Sequence, residues 1–305
     1  MASSGKILII GGSGFLSGTL ARLALKKDYQ VWAVTRGMRS LPPGVEPITV
    51  DRHDEQDFHR VITAQGIHWD LVVDCIAFDQ NDILQDVSVF PAVSDHLVFI
   101  STDFVYEPGS REFPQGEEST AYLSGGYGGK KRQAEIALQK ADTQKMGWTI
   151  LRPCHIYGPG SQLGCLPQHS RDQELINRLR AGEPLKLVGG GYFLQQPILA
   201  SDLSETILSV PGRPAANQQI LCTAGPEFVE SREYYSIIAK ILGVGLSIEE
   251  ISVQDYLHNH PESASFLCHR IYDLSKLRAA GCAVPSTPLE EGLKEQVASL
   301  TGKLT

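Results

Sequence analysis

Ile7-Leu8-Ile9-Ile10-Gly11-Gly12-Ser13-Gly14-Phe15-Leu16-Ser17-Gly18 is the stretch on which the reading of this chain turns. Four consecutive apolar residues between glycines suit a parallel strand covered by helices on both faces, so residues 7–10 are expected to form a central strand. Behind the glycines, Phe15, Leu16, Leu20, Leu23 and Ala24 recur at helical spacing. The run ends at Lys26-Lys27, whose charges suit a helix C-terminus. At such a strand–turn–helix junction small residues let main-chain amides approach an anion, and the aligned N–H groups and helix dipole favour a pyrophosphate.

Moving outward, residues 30–34, 48–50, 70–76, 97–100 and 149–152 are further strand candidates, separated by polar or helical stretches. Pro42-Pro43-Gly44 marks a turn, and residues 51–65 read as a helix with an acidic first turn. Strands alternating with helices predict an α/β fold on a doubly wound parallel sheet. After Pro159-Gly160 the chain becomes Gly- and Pro-punctuated, with a helix near 172–181, then Leu187-Val188 and three glycines. A second unit is expected to begin there. Residues 196–207 again read as strand then helix, capped by Ser201 or Asp202, so the chain is expected to revisit the first unit. The expected division is 1–165 with 192–225 for nucleotide binding, and 166–191 with 226–305 for a smaller, C-terminal substrate domain.

Bulk properties narrow the function. At 305 residues the chain can bury a substantial core. A net charge of -8 without a Lys/Arg block argues against nucleic-acid binding. The apolar run at 7–10 is too short for a membrane span or a signal-peptide core. Six scattered cysteines without a C-x-x-C pair suit reduced thiols, so a cytoplasmic small-molecule enzyme is expected. His258, His260 and His269 lack a third ligand at metal-like spacing, and no metal is expected.

Ser101-Thr102-Asp103 follows the strand at 97–100, and twenty-five residues after Thr102 comes Tyr127-Gly128-Gly129-Lys130-Lys131. Four residues apart, Tyr127 and Lys131 share one face of a helix. A phenol near pKa ~10 exchanges protons near neutrality only beside positive charge, which Lys131 would supply. Tyr272 and Lys276 have the same spacing without this context and receive no catalytic role.

Taken with Gly11-x-x-Gly14-x-x-Ser17, these residues resemble the extended short-chain dehydrogenase/reductases, the NAD-dependent epimerase/dehydratase family, and so imply a Rossmann-like first domain. The resemblance implies a catalytic set of Thr102, Tyr127 and Lys131. It implies dinucleotide contacts from Gly11, Gly14, Phe15, Leu16, Ala77 and Lys131, with Ser17, or Gly18 in a shifted register, at the third glycine position. NAD readers place an acidic residue after the second strand. Here Thr35-Arg36, with Arg39 nearby, favours NADP over NAD unless Arg36 is a solvated strand-end charge. Asp51 matches the adenine-contacting position, and a helix cap explains it equally well.

Leu151-Arg152-Pro153-Cys154-His155-Ile156-Tyr157-Gly158-Pro159-Gly160 is similar to a sugar-nucleotide epimerase segment, with His155 where a substrate-contacting asparagine is common or else a core histidine. Ser101, Asp103, His155 and Arg270 are the expected substrate contacts, with Arg178 and Arg180 further candidates for a diphosphate. Phe104 stands where dehydratases carry a glutamate, which disfavours water elimination. Nucleotide-sugar epimerisation is therefore the expected function, with an NADPH-dependent ketoreductase of a (nucleotide) sugar as the alternative, and a homodimer is the usual assembly. Residues 31–37 and 70–74 also look like the branch with chloroplast stem-loop-binding relatives, so a noncatalytic dinucleotide sensor or RNA-binding relative is a third reading. Intact Thr102, Tyr127 and Lys131 weigh against it.

Overall fold

In the computed structural model, residues 5–302 are described; the outer ends of the expected ranges, 1–4 and 303–305, lie outside them. The glycine-bounded apolar run forms β1 (Lys6–Ile10). Its side chains alternate, Ile7 and Ile9 entering one core and Leu8 and Ile10 another, as the two-residue period of a strand requires. Five strands follow: β2 (Gln30–Thr35), β3 (Glu46–Thr49), β4 (Leu71–Asp74), β5 (His96–Ile100) and β6 (Gly147–Pro153). A seventh, Gln219–Thr223, pairs with β6. From that strand the order is β6, β5, β4, β1, β2, β3, and every pairing is parallel. The chain winds outward in both directions from the β1–β4 seam, where a doubly wound sheet opens its ligand crevice.

The connecting helices are α1 (Phe15–Lys26), α2 (Glu55–Thr63), α3 (Gln80–Val89) and α4 (Gly126–Lys140). Then come α5 (Leu175–Ala181), α6 (Ala200–Ser209), α7 (Ser231–Leu242), α8 (Val253–Asn259), α9 (Ser275–Ala279) and α10 (Leu289–Thr301). Leu20 and Ala24 of α1 with Leu203 and Ile207 of α6 cover one sheet face. Phe58 of α2, Ile83 of α3 and Ala134 and Leu138 of α4 cover the other. A third core gathers Tyr157, Leu175, Leu185, Tyr234, Tyr235, Leu289 and Leu293. Residues 272–282, expected with the substrate unit, supply Tyr272, Leu274, Leu277 and Cys282 to the first core instead.

Two expected caps are corrected. At the start of α6, Leu199 occupies the cap without a side-chain bond, so neither Ser201 nor Asp202 caps it. Asp202 accepts the amides of Ser286 and Thr287 and the Thr287 hydroxyl, stitching the tail to this helix. The cap of α2 is Asp54, which accepts the Asp57 amide, and Asp51 lies outside the helix, accepting the amide of His53.

Beneath the carboxyl ends of β5 and β6, α4 is anchored by a buried ion pair. Arg152 reaches Glu135 through Nε at 2.8 Å and Nη2 at 2.7 Å, and Ser101 and Arg132 add bonds to the same carboxylate. Burial alone would raise the Glu135 carboxyl; these partners hold it below its ordinary value. Replacing Arg152 with Met leaves that carboxylate buried and uncompensated, and the expected loss of unfolding free energy is about 3–5 kcal/mol in a denaturant titration at pH 7. For the wild-type pair, stability is present above the ordinary carboxylate range and declines as pH falls through the depressed value of Glu135. In Arg152→Met that acid-side decline should flatten.

Candidate active site

The β1–α1 turn has little room for side chains. Gly12 has φ +33°, and a Cβ there would lie 2.4 Å from that of Ala33; at Gly11 it would lie 2.9 Å from Ile76 Cγ2. At Gly18, by contrast, the nearest atom would stand 3.5 Å away, so the crowded glycine is Gly12 and not Gly18. Ser17, on the third motif position, accepts the Gly14 amide at 3.0 Å and caps its own helix. With no acidic residue in the first turn of α1, the positive end of the helix dipole is uncompensated.

This turn opens onto a cavity of about 360 Å³ lined by Gly11, Gly14, Thr35, Arg36, Arg39 and Asp51. A second, of about 970 Å³, lies over the ends of β4, β5 and β6. Phe15, Leu16, Thr102, Tyr127, Lys131 and His155 are among its walls, and Phe78 borders both cavities. The narrow turn, the bare helix end and the two adjoining cavities fit a dinucleotide.

Helix α4 brings Tyr127 and Lys131 to the larger cavity. Gly128 makes the approach possible, since a Cβ there would come 1.9 Å from the Phe104 carbonyl. Tyr127 is half-exposed at the cavity wall. Lys131 is buried, and its Nζ donates to Ala77 O at 2.6 Å and Ile100 O at 2.7 Å. Burial lowers this amine to about 8, against the pull of Asp74, Cys75, Asp82 and Glu135. The Tyr127 phenol is raised, first by burial and then by Asp103, while a hydrogen bond with Thr102 and the charge of Arg171 oppose the rise. The groups acting on this phenol are thus Thr102, Asp103 and Arg171, where the sequence pointed to Lys131.

The other expected residues fall into two groups. Arg36 and Asp51 are exposed beside the smaller cavity. His155 lines the larger one, and burial with Arg270 and Arg171 lowers it to about 3, so its imidazole is neutral. Ala77 buries its methyl group and gives the site its carbonyl. Ser101 spends its hydroxyl on Glu135. Asp103 is buried under Tyr272 O–H, Arg270 at 3.4 Å and Arg111 at 3.7 Å, and Arg270 also donates to Gln195 at 2.7 Å. Tyr272, of the second Tyr-x-x-x-Lys match, is thereby part of a buried charge network. Arg178 pairs with Asp172 and Glu183, and neither it nor Arg180 lines the larger cavity.

Sequence reasoning passed over Arg171, an exposed cation on that wall, and Phe266, whose ring packs edge-on against Phe104 at 4.9 Å. No pattern in the chain marked either. Among the described residues no cluster of His, Cys, Asp and Glu could hold a metal, and no helix is long and apolar enough to cross a membrane. All six cysteines are free thiols.

Residues 7–220 match the NAD dependent epimerase/dehydratase family. The chain belongs to that family. A nicotinamide dinucleotide is accordingly its cofactor, in a Rossmann-like fold. Among relatives of this NAD-dependent chain, a chloroplast stem-loop binding protein of Arabidopsis thaliana is 26% identical over 243 residues. The match spans 75% of this chain and 61% of that protein. A 2-alkyl-3-oxoalkanoate reductase of Stenotrophomonas maltophilia is 26% identical over 347 residues, covering 96% of this chain and 99% of the other. The UDP-glucose 4-epimerase of Thermotoga maritima, solved with UDP-glucose, superposes with a TM-score of 0.79 at 18% identity, covering 98% and 100% of the two chains. At that identity the likeness is one of fold.

Arg36 beside the smaller cavity yields a cofactor test. Arg36→Glu should weaken NADP binding about tenfold, the loss of about 1.5 kcal/mol for one charge-assisted contact, and leave NAD binding equal or tighter in calorimetric titrations.

Proposed function

We propose that this chain moves hydride at a secondary alcohol or ketone carbon, and that its reaction is the epimerisation of a nucleotide sugar in the cytoplasm. The observation that carries the reading is the Tyr127 phenol, half-exposed in the 970 Å³ cavity beside Thr102 and on the same helix as Lys131. A bound nicotinamide ring supplies the hydride acceptor and donor. As the carbinol is oxidised its hydroxyl proton would pass to Tyr127 as the phenolate, a form that the positive charge of an oxidised nicotinamide and of Lys131 would favour, and it would return when the ketone is reduced. Thr102 hydrogen-bonds the same oxygen, and Lys131 supplies positive charge at the dinucleotide. Phe104, standing where dehydratases carry a glutamate, favours epimerisation over dehydration. The size of the cavity suits a sugar carrying an extended nucleotide portion, and six free thiols suit a reducing compartment.

Reduction of a ketone with NADPH is the second reading, favoured by Arg36 and by the raised phenol, which is a proton donor at neutral pH. The end-to-end match to a ketoacid reductase supports it as well. Cofactor retention separates the two. Epimerase chemistry predicts tightly bound dinucleotide in the purified protein and sugar interconversion without added reductant; stoichiometric consumption of NADPH would instead establish the reductase.

Tyr127→Phe should reduce turnover by about 10²–10⁴-fold, the usual worth of a positioned proton donor, while the dinucleotide dissociation constant stays within about twofold. Undiminished turnover rules out the proton relay. Because Lys131 is charged below about 8 and neutral above, dinucleotide affinity in the wild type should be full on the acid side of that value and decline on the alkaline side. Lys131→Met should abolish the inflection.

A further inference from the structure

Arg52 follows Asp51 at the end of β3 and belongs to the floor of the smaller cavity, 4% exposed. It faces three carboxylates. Its Nη1 contacts Asp74, its Nη2 lies 3.1 Å from Asp86 Oδ1, and its Nε lies 3.3 Å from Asp82 Oδ1. Asp86 is raised well above the usual carboxylate range by burial and then by Asp74, to which it is hydrogen-bonded. Asp74 and Asp82 share the Arg52 guanidinium with Asp86.

Those same two carboxylates hold a run of main chain. Asp74 Oδ1 accepts the amides of Ile76 at 2.6 Å and Ala77 at 2.7 Å. Asp82 Oδ2 accepts those of Phe78 at 2.6 Å and Asp79 at 3.4 Å. Four successive N–H groups of the β4–α3 loop thus hang from side chains fixed by Arg52, and the Ala77 carbonyl in this loop receives the Lys131 ammonium at 2.6 Å. Burying such a cluster costs several kcal/mol of desolvation per ion, so it is a poor device for stability alone; what it provides is fixed geometry.

We propose that Arg52 is a positioning residue for Lys131, clamping Asp74 and Asp82 so that the loop at 76–79 presents its carbonyl to the ammonium. The clamp links the smaller cavity to the reactive end of the groove, and it rests on the reading that gives Lys131 a part in dinucleotide chemistry. The groups facing Lys131 are Asp74 and Cys75 at the end of β4, Asp82 on α3 and Glu135 on α4. Removing Arg52 leaves Asp74 and Asp82 without their cation, which strengthens their hold on the lysine proton.

The test compares full-length wild type, Arg52→Met and Arg52→Lys by hydrogen exchange on peptides spanning 74–80, without ligand. In Arg52→Met these amides should exchange about tenfold faster while strand β5 keeps its protection, and Arg52→Lys should fall between. Calorimetric titration with NAD and with NADP from about pH 6 to about pH 9 should show the alkaline inflection moved upward in Arg52→Met and unmoved global fold by circular dichroism. Unchanged exchange at 76–79, acceleration spread evenly over the sheet, or an inflection that stays in place each overturn the clamp. If Arg52→Met does not fold, Arg52→Lys decides on the same criteria. A wild type that binds neither dinucleotide sinks the cofactor reading, and the exchange comparison then decides the clamp by itself.

Discussion

A single ammonium, shut away from water between two main-chain carbonyls, sets the layout of the groove. Lys131 is 2% exposed and sits between the tips of β4 and β5. A buried charge must have its hydration replaced in full, and here carbonyl oxygens and nearby carboxylates do so. For the lysine to reach that point, α4 must lie hard against the sheet. Gly128 lets the helix pass the Phe104 carbonyl just beyond β5, and the Glu135–Arg152 pair fastens the same helix one turn beyond Lys131. Tyr127 then has little freedom in where it stands, because the helix that carries it is fixed from below at two places.

The groove divides its electrostatics between its ends. At the smaller cavity the exposed cations Arg36 and Arg39 face solvent, whereas Arg52 beneath them is paired with carboxylates. At the reactive side the charges are mostly spent on one another: Asp103 is shared by Tyr272, Arg270 and Arg111, and His155 is neutral. Arg171 remains at the wall with its charge open to the cavity. Around the reacting position the walls are aromatic, with Phe104 between Tyr127 and Phe266. An aromatic-walled chamber whose buried charges are mostly paired fits the proposed movement of hydride, in which charge shifts between carbon atoms with only one proton to place.

Much of this was legible in the chain because it depends on local pattern. The apolar run at 7–10, the glycines after it and the Tyr–Lys spacing all act within a few residues, and the first six strands stand where periodicity put them. Two strand-and-cap features escaped for a physical reason. The strand Gln219–Thr223 is short, and its place is set by pairing with β6 across a long separation. Asp202 looks like a helix cap until Ser286 and Thr287 arrive from far along the chain to claim it. The same holds in the groove. Ser101 carries a plausible hydroxyl, but Glu135 takes it, and Arg52 has no motif at all; its meaning comes from three carboxylates brought together by the fold.

The network around Asp103 joins an early residue to late ones, Arg270 and Tyr272. As the polypeptide leaves the ribosome, the strands up to β6 can assemble while this carboxylate still faces water and its counter-ions are unmade. Only when the stretch carrying Arg270 and Tyr272 docks is this carboxylate enclosed by its partners, so a fragment stopping short of it would hold a sheet and a nucleotide turn while leaving Asp103 without Arg270 and Tyr272.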